Sequence, residues 1–581
     1  MSNDLGIDRS GNGNNWTVNN IAFADQVVDS PTNNFATHNV LYEPLGTYSE
    51  GNLKWIGPGA WAWSPSTIAL PLTGKWYFET MLVNNGRNAN DTYGSMGVMR
   101  TSTVRAPDSW SGIRADALLM TDGYLGYNFS TTDSFTGTEN KSAGDILSCA
   151  IDRDNNTYNF RLNNSSIWSG TLASSTTEGL NFVVISHSAS YGGTMITNYG
   201  QDSSFAGSKT AQGNQDGNDI GDFYYTPPTG FLALCTKNLP DVAVTPSEHF
   251  NTVLWTGDGS TKSITGVGFQ PDLVWGKNRA EAWNHTWFDA VRGTGKLLQS
   301  NLTNAETTND VWGYLSAFNS DGFTLTAGSS GIDQVNDNSD AYVAWNWKAN
   351  GSGSANTAGS INSTVSVNTD AGFSIIKYHG TGANATVGHG LSKAPELVIC
   401  KDREAANGWG VGQFLLSNTQ ALYLDLTIAY DTNNYWNSTS PSSTVISLGV
   451  SGATNANNEM IAYAFHSVDG YSKVGSYVAN SSTDGTFIYT GFRPAFILVK
   501  SSTESRNWHI MDTTRNPHNV ANHVLYANRN NAEYSDNDYT DVDFLSNGFK
   551  LRNNDTAMNN NGQTHIYIAF AETPFKYSNA R

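Results

Sequence analysis

The sequence predicts an all-β protein made of several globular units, and three observations carry that expectation. Charged residues are 14% and aromatic residues 12% of the 581-residue chain, which also holds 56 glycines. The Leu-, Ala-, Glu- and Lys-rich amphipathic stretches that helices need are scarce. Short alternating apolar runs bounded by Gly, Asn, Asp and Ser recur throughout, as sandwiches and barrels require. From residue 247 onward the chain also repeats itself three times. At roughly 150 residues per domain the length suggests about four domains.

The arm comes first. Residues 1–43 are polar and turn-rich, with "DRSGNGNNWT" and "DSPTNN" as loop clusters and Trp16 as a candidate anchor. They are expected to form an extended arm that packs on its own chain or on a neighbour.

Residues 44–205 form the next unit. "GKWYFETMLV" (Gly74 to Val83) alternates like a half-buried strand. Ile146 to Ile151 and Thr157 to Leu162 make two strands around a hairpin turn at Asp152 to Asn156, and Asn163 and Asn164 close the second. The landmarks "GKWYFE", "GSMGV", "GDILSCAIDRDNNTYNFRLNN" and "TNYGQ", in this order, resemble a SPRY domain. Tyr199 stands where members of that family often carry Phe. The resemblance implies a concanavalin-like sandwich of two antiparallel sheets, and a binding module with its specificity in variable loops. Residues 206–246 follow as an aromatic, proline-rich connector expected to dock on the sandwich.

The array is expected as domains at 247–350, 372–476 and 477–581, with a Gly/Ser/Asn linker at 351–371. Its landmark is an apolar strand after a proline, ending in lysine: "PDLVWGK", "PELVICK" and "PAFILVK". From that lysine to the aligned tryptophan the interval is 10, 8 and 8 residues, at Trp287, Trp409 and Trp508. The closing strands "AYVAWNWK", "EMIAYAFHS" and "HIYIAFAET" align on Ala344, Ala462 and Ala569. A period near 100–120 residues is too long for a solenoid and suits three similar β-domains of ordinary size. The proline fits a strand start, and a run apolar on both faces fits a central, covered strand.

Charge and motifs exclude several function classes. The net charge of −19 would repel a phosphate backbone, and no basic stripe offsets it. Cys149, Cys235 and Cys400 each lie in an apolar run and are expected as buried strand residues, without disulfide or zinc spacing. "RGTGK" (Arg292 to Lys296) lacks the first glycine and the Ser/Thr of a phosphate loop. "DRDNN" (Asp152 to Asn156) lacks the rest of a calcium loop. "DNDYTDVD" (Asp536 to Asp543) is expected as a solvated loop. His518 and His523 are spaced wrongly for a helical zinc site. No cofactor, metal or catalytic residue is expected. Repeats one and three share Asp-x-x-Arg (Asp289 with Arg292, Asp512 with Arg515) and Asn-x-x-Asn-Ala-Glu (Asn301 to Glu306, Asn528 to Glu533), which repeat two lacks. A glycosidase pair would need Asp289 near Glu306. A turn ion pair with a capped loop is the expectation instead.

Binding candidates are aromatic. Trp61 and Trp63 in "GAWAWSP" are two apart, and Trp110 and Trp436 lie in polar loops. Such side chains stack on sugar rings or anchor protein contacts. The N-terminus has no basic n-region or apolar h-region, and no apolar run nears the roughly 18 residues of a membrane helix. A soluble chain made in a cytoplasm is expected.

The arm, the SPRY-like unit, the "FYYTPPTGFLALCTKNLP" connector and the "GFRPAFILVK…NWHIMDTTR" repeats together resemble a group of tailed-phage virion proteins. That resemblance implies a tail fibre or similar appendage that contributes to host-surface attachment. Its partners would be other virion proteins, further copies of the chain (a trimer through β-domain surfaces or arm exchange) and a host-surface glycan or protein. A capsid-surface decoration is the second expectation. A polysaccharide-cleaving tailspike is disfavoured, because no short solenoid period occurs.

Overall fold

The structure is a computed structural model that describes residues 5–8, 10–19, 27–30, 32–42, 46–58, 61–84, 94–101, 117–120, 125–128, 131–134, 141–173, 179–187, 193–330, 334–535 and 540–577. It is nearly all β, and its described helices are short turns such as Gly452–Asn455 and Thr556–Asn559. No described helix is long and apolar enough to cross a membrane. Two compact units divide the chain, Met1–Asp241 and Val242–Arg581.

The first unit is a sandwich of two antiparallel sheets. One sheet runs in the order Thr47–Ser49, Lys54–Ile56, Thr194–Asn198, Lys75–Asn84, Ile146–Asp152, Thr157–Leu162, Ser165–Thr171. The other begins Trp61–Leu70, Leu180–His187, Gly94–Arg100. Phe78 of the first sheet meets Phe182 of the second with ring centroids 4.0 Å apart, which pins the two faces together. The Asp152 turn is as expected. Its Oδ1 accepts from the backbone N–H of Asp154 and Asn155 at 3.0 and 2.9 Å, so the carboxylate caps the turn.

The arm and the connector as far as Asp241 belong to this unit, while Val242 to Pro246 belong to the second. Phe35 bridges Cys235, and His38 bridges Ser66 with its ring fully buried. The end of the expected arm therefore packs on its own chain, because its apolar and β-bridging residues find partners on the sandwich. The connector adds Leu232–Ala233 parallel to Trp76 and Tyr77. Its backbone N–H groups at Tyr224 and Tyr225 donate to the two oxygens of buried Glu79 at 2.9 and 2.8 Å. Trp16, further back, is 80% exposed.

In the second unit each repeat builds a sheet around the same four antiparallel strands. In repeat one the order is Phe250–Thr256, Ala341–Trp347, Leu273–Asn278, Thr286–Asp289. Repeat two places Phe373–His379, Glu459–Phe465, Leu397–Asp402 and Gly410–Gln413 likewise. Repeat three does so with Ser472–Val478, Thr564–Pro574, Phe492–Ser501 and His509–Asp512. The post-proline strand is interior in every copy and buried along its length in the first two. In repeat three Pro494 lies within the strand, at the register shifts that let a residue without an N–H sit there.

Alternation along these strands sends side chains to two different cores. Val343, Trp345 and Trp347, then Ile461, Tyr463 and Phe465, then Ile566, Ile568 and Phe570 enter one core shared by all three repeats. Residues of opposite parity enter three private cores, each roofed by a small sheet of its own repeat. The repeats are thus three sandwiches closed around a common centre, not three separate domains. Strand pairing also corrects two alignments. Trp287 pairs Trp275 while Val411 pairs Ile399 and Ile510 pairs Leu498, so His285 is the counterpart of Trp409 and Trp508. Val343, Ile461 and Ile566 oppose the three lysines, so Tyr567, not Ala569, matches Ala344 and Ala462. The expected 351–371 linker is structured. Ser354–Asn356 and Ser363–Asn368 extend the repeat-two sheet beyond strand 373–379, since short Gly/Ser-bounded segments suit edge strands as well as linkers.

Candidate functional site

The polar signature of the repeats converges on the three junctions between them. At the first, the backbone N–H of Glu306 donates to Arg403 O at 2.8 Å. At the second, Tyr430 donates to Ser502 O at 2.9 Å, and at the third, Glu533 to Arg279 O at 2.8 Å. One backbone contact, repeated three times, closes the array into a ring. The counterpart set His285, Trp409 and Trp508 does the same from the other side. Trp409 Nε1 donates to Gln299 O at 3.0 Å, Trp508 Nε1 donates to Tyr423 O at 2.7 Å, and His285 Nε2 lies 3.0 Å from Tyr526 O.

Two junctions carry a charged clamp. Arg292 Nε donates to Asp289 at 2.5 Å, its Nη1 reaches Glu306 at 3.2 Å, and Arg403 of repeat two grips both Glu306 oxygens at 2.9 Å. Arg515, Asp512, Glu533 and Arg279 repeat this arrangement, with Arg279 on Glu533 at 2.9 and 2.7 Å. Neighbouring repeats complete it: Tyr463 donates to Asp289 at 2.7 Å and Trp345 Nε1 to Asp512 at 3.0 Å. Repeat two has Gln413, Leu416 and Tyr430 at these places, and repeat three has Ser502, so the remaining junction closes without charge. Asp289 and Glu306 are therefore bridged by one buried guanidinium, and a glycosidase pair with room for substrate is not formed. Burial opposes ionisation of Glu306, but Arg403 and Arg292 outweigh it and hold its pKa below the ordinary value. Glu533 is held down in the same way by Arg279 and Arg515.

The three strand-ending lysines are buried. Lys401 Nζ donates to the carbonyls of Asp402, Asn407 and Thr303 at 2.7, 2.9 and 3.0 Å. Lys277 reaches Asn278 O and Glu281 O, and Lys500 reaches Ser501 O and Glu504 O. Burial pushes their pKa values down to about 7 for Lys277 and Lys500 and about 8 for Lys401. These amines tie down the loops that follow each strand.

Residues 245–574 match the family model described as "Domain of unknown function (DUF7483)", more than half of the chain. This chain belongs to the DUF7483 family. The DUF7483 match starts and ends with the three-repeat unit, so the ring of junctions lies within the DUF7483 region of this chain. No curated protein matches the chain by sequence. Among solved structures, the SPRY domain of human HERC1 is 14% identical over 29% of this chain and 95% of its own, with a TM-score of 0.21. Stonustoxin is 15% identical over 28% of this chain and 27% of its own, with a TM-score of 0.22. The TRIM65 PSpry domain is 11% identical over 28% and 92%, with a TM-score of 0.22. The two-sheet topology of Met1–Asp241 stands on its own pairing.

The aromatic binding candidates fare differently. Trp63 is 6% exposed on strand Trp61–Leu70, and Trp436 is fully buried in the private core of repeat two, its Nε1 donating to Gln420 O at 3.1 Å. Both are core residues, so neither offers a surface for stacking: a polar neighbourhood in sequence did not imply exposure. The side chain of Trp61 and all of Trp110 lie outside the described residues, as does 536–539 within the acidic loop. Cys149, Cys235 and Cys400 are buried thiols. Among the described residues no group of His, Cys, Asp and Glu is arranged to hold a metal. The junction role of Arg279 and Arg403 escaped the sequence reading. Their shared spacing, two residues after the strand lysine, was the signal available.

Proposed function

We propose that the protein is a non-catalytic display scaffold of a bacteriophage particle, a tail fibre or similar appendage that contributes to attachment to the host surface. One observation supports the scaffold reading most. The repeated polar residues that resemble a reaction site are consumed in the inter-repeat clamps, where buried charge pairs favour one fixed assembly. A rigid three-repeat unit preceded by a SPRY-like sandwich suits presentation of loops outside a cell. The phage setting rests on the sequence resemblance. Other virion proteins and further copies of the chain are its proposed partners, with a homotrimer the assembly to test by light scattering.

Two experiments test this. Gold-labelled antibody should mark the tail of purified particles, and pre-incubating cells with purified protein should block adsorption. Label confined to the capsid would replace this reading with capsid-surface decoration. Release of reducing sugar from host polysaccharide would replace it with an enzyme.

A further inference from the structure

The three junctions are built alike but do not present the same side chains. Between repeats one and three lies a cleft of about 310 Å³, at the lower end of the range for small-molecule sites. Its wall from repeat one is strand Phe250–Thr256, and its wall from repeat three includes Arg493, Thr513, Thr514 and Glu572. The counterparts of Thr252 are Ile375 and Val474, which fill the shared core. The counterparts of Thr513 and Thr514 are Ala290 and Val291 in repeat one, and Phe414 and Leu415 in repeat two. Arg493 stands where the other copies have Gln270 and Ala394. At Thr252, Thr513 and Thr514 hydroxyl side chains thus replace apolar ones, and Arg493 brings a charge that neither counterpart carries.

Two features go beyond what folding needs. Thr252 is 6% exposed, and its Oγ1 is buried without a hydrogen-bond partner, an arrangement that costs stability unless something fills it. Arg493, with a side chain 8% exposed, donates from Nε to Glu572 at 2.9 Å and from Nη1 to Phe544 O at 2.8 Å. The Arg493 and Glu572 side chains line the cleft as a bonded pair. The guanidinium and carboxylate neutralise each other. An anion would meet Glu572 and a cation would meet Arg493, while a neutral ligand with adjacent hydroxyls can accept from one and donate to the other. Phe250, Ala495 and Ala571 give the cleft apolar surface as well.

We propose that this cleft binds a neutral sugar, with Thr252, Arg493 and Glu572 as its polar contacts. The proposal deepens the attachment reading above and rests on it for the source of the sugar. Saturation-transfer NMR on the full chain tests it, with glucose, galactose, rhamnose and N-acetylglucosamine as probes and glucosamine and galacturonate as charged comparisons. At least one neutral sugar should bind, with its charged analogue about tenfold weaker. Thr252→Val should weaken that sugar about tenfold, the loss of one hydrogen bond to a matched hydroxyl. Its fold should persist, because Val474 already occupies the same place in repeat three. Glu572→Gln should weaken it similarly. Absence of binding by all four neutral sugars at millimolar concentration overturns the proposal, as does binding that Thr252→Val leaves unchanged. Sugar binding without an adsorption block would instead overturn the attachment reading and leave the cleft standing. An adsorption block without sugar binding would overturn the cleft alone.

Discussion

Glu306→Gln probes the clamp that joins repeats one and two. The carboxylate takes Arg403 through both oxygens at 2.9 Å and Arg292 Nη1 at 3.2 Å. Its side chain is 9% exposed, against 14% for Arg403 and 0% for Arg292. An amide keeps the shape but turns an N–H₂ toward a guanidinium and removes the countercharge. A charge-assisted hydrogen bond contributes about 1.5–3 kcal/mol, and stranding a buried cation costs more. Arg292 keeps Asp289, which limits the damage, so the expected cost is about 3 kcal/mol. In a unit of this size that corresponds to a midpoint lowered by about 4 °C. Urea unfolding followed by tryptophan fluorescence reads it directly, and a cycle with Arg403→Gln should show coupling of at least about 1.5 kcal/mol. A cost below about 0.5 kcal/mol, the scale of an exposed pair, would refute the clamp.

Three further outcomes are expected. Glu306 and Glu533 have folded pKa values below the ordinary 4.5, so their stabilisation is complete above that pH and is lost as pH falls through the lower folded values. Thermal melts below pH 4.5 should therefore drop less steeply in Glu533→Gln than in the parent chain. Lys500 is lowered to about 7 from 10.5, so the unfolded chain binds more protons between those values and stability should rise with pH across that window. Lys500→Met should flatten that rise in melts taken from pH 7 to 9.5, below the range where buried tyrosines enter. Trp409→Phe removes the indole N–H shared by Gln299 O and Leu302 O and should cost about 1 kcal/mol in urea unfolding, the loss of one junction hydrogen bond, since Gln299 O keeps the backbone N–H of Leu302.

Much of the fold was legible because strand period and turn chemistry are local. The hairpin of Ile146–Asp152 and Thr157–Leu162 follows from its alternation and its Asp-Arg-Asp-Asn-Asn turn. The post-proline strands were legible as covered on both faces. What covers them was not, since one face meets its own small sheet and the other meets sibling repeats more than a hundred residues away. That long-range closure is why three apparent domains are one unit. Register was misread by two residues at Trp287 and Ala569, a slip that keeps every side chain on its face and so leaves no trace in the apolar pattern. The histidine at position 285 hid the true equivalence with Trp409 and Trp508. Of the candidate chemistry, the shared Asp, Arg and Glu were visible. Their purpose depended on Arg279 and Arg403 arriving from neighbouring repeats. Thr252 and Arg493 stand out once strand pairing shows what their counterparts are.

The central claim is that the three repeats are one closed, cooperative structure. Native-state hydrogen exchange in increasing urea tests it most directly. The amides of strands Leu273–Asn278, Leu397–Asp402 and Phe492–Ser501 should converge on a single opening free energy and a common urea dependence. Three distinct isotherms, one for each repeat, would contradict the shared core and the ring of junctions that closes it.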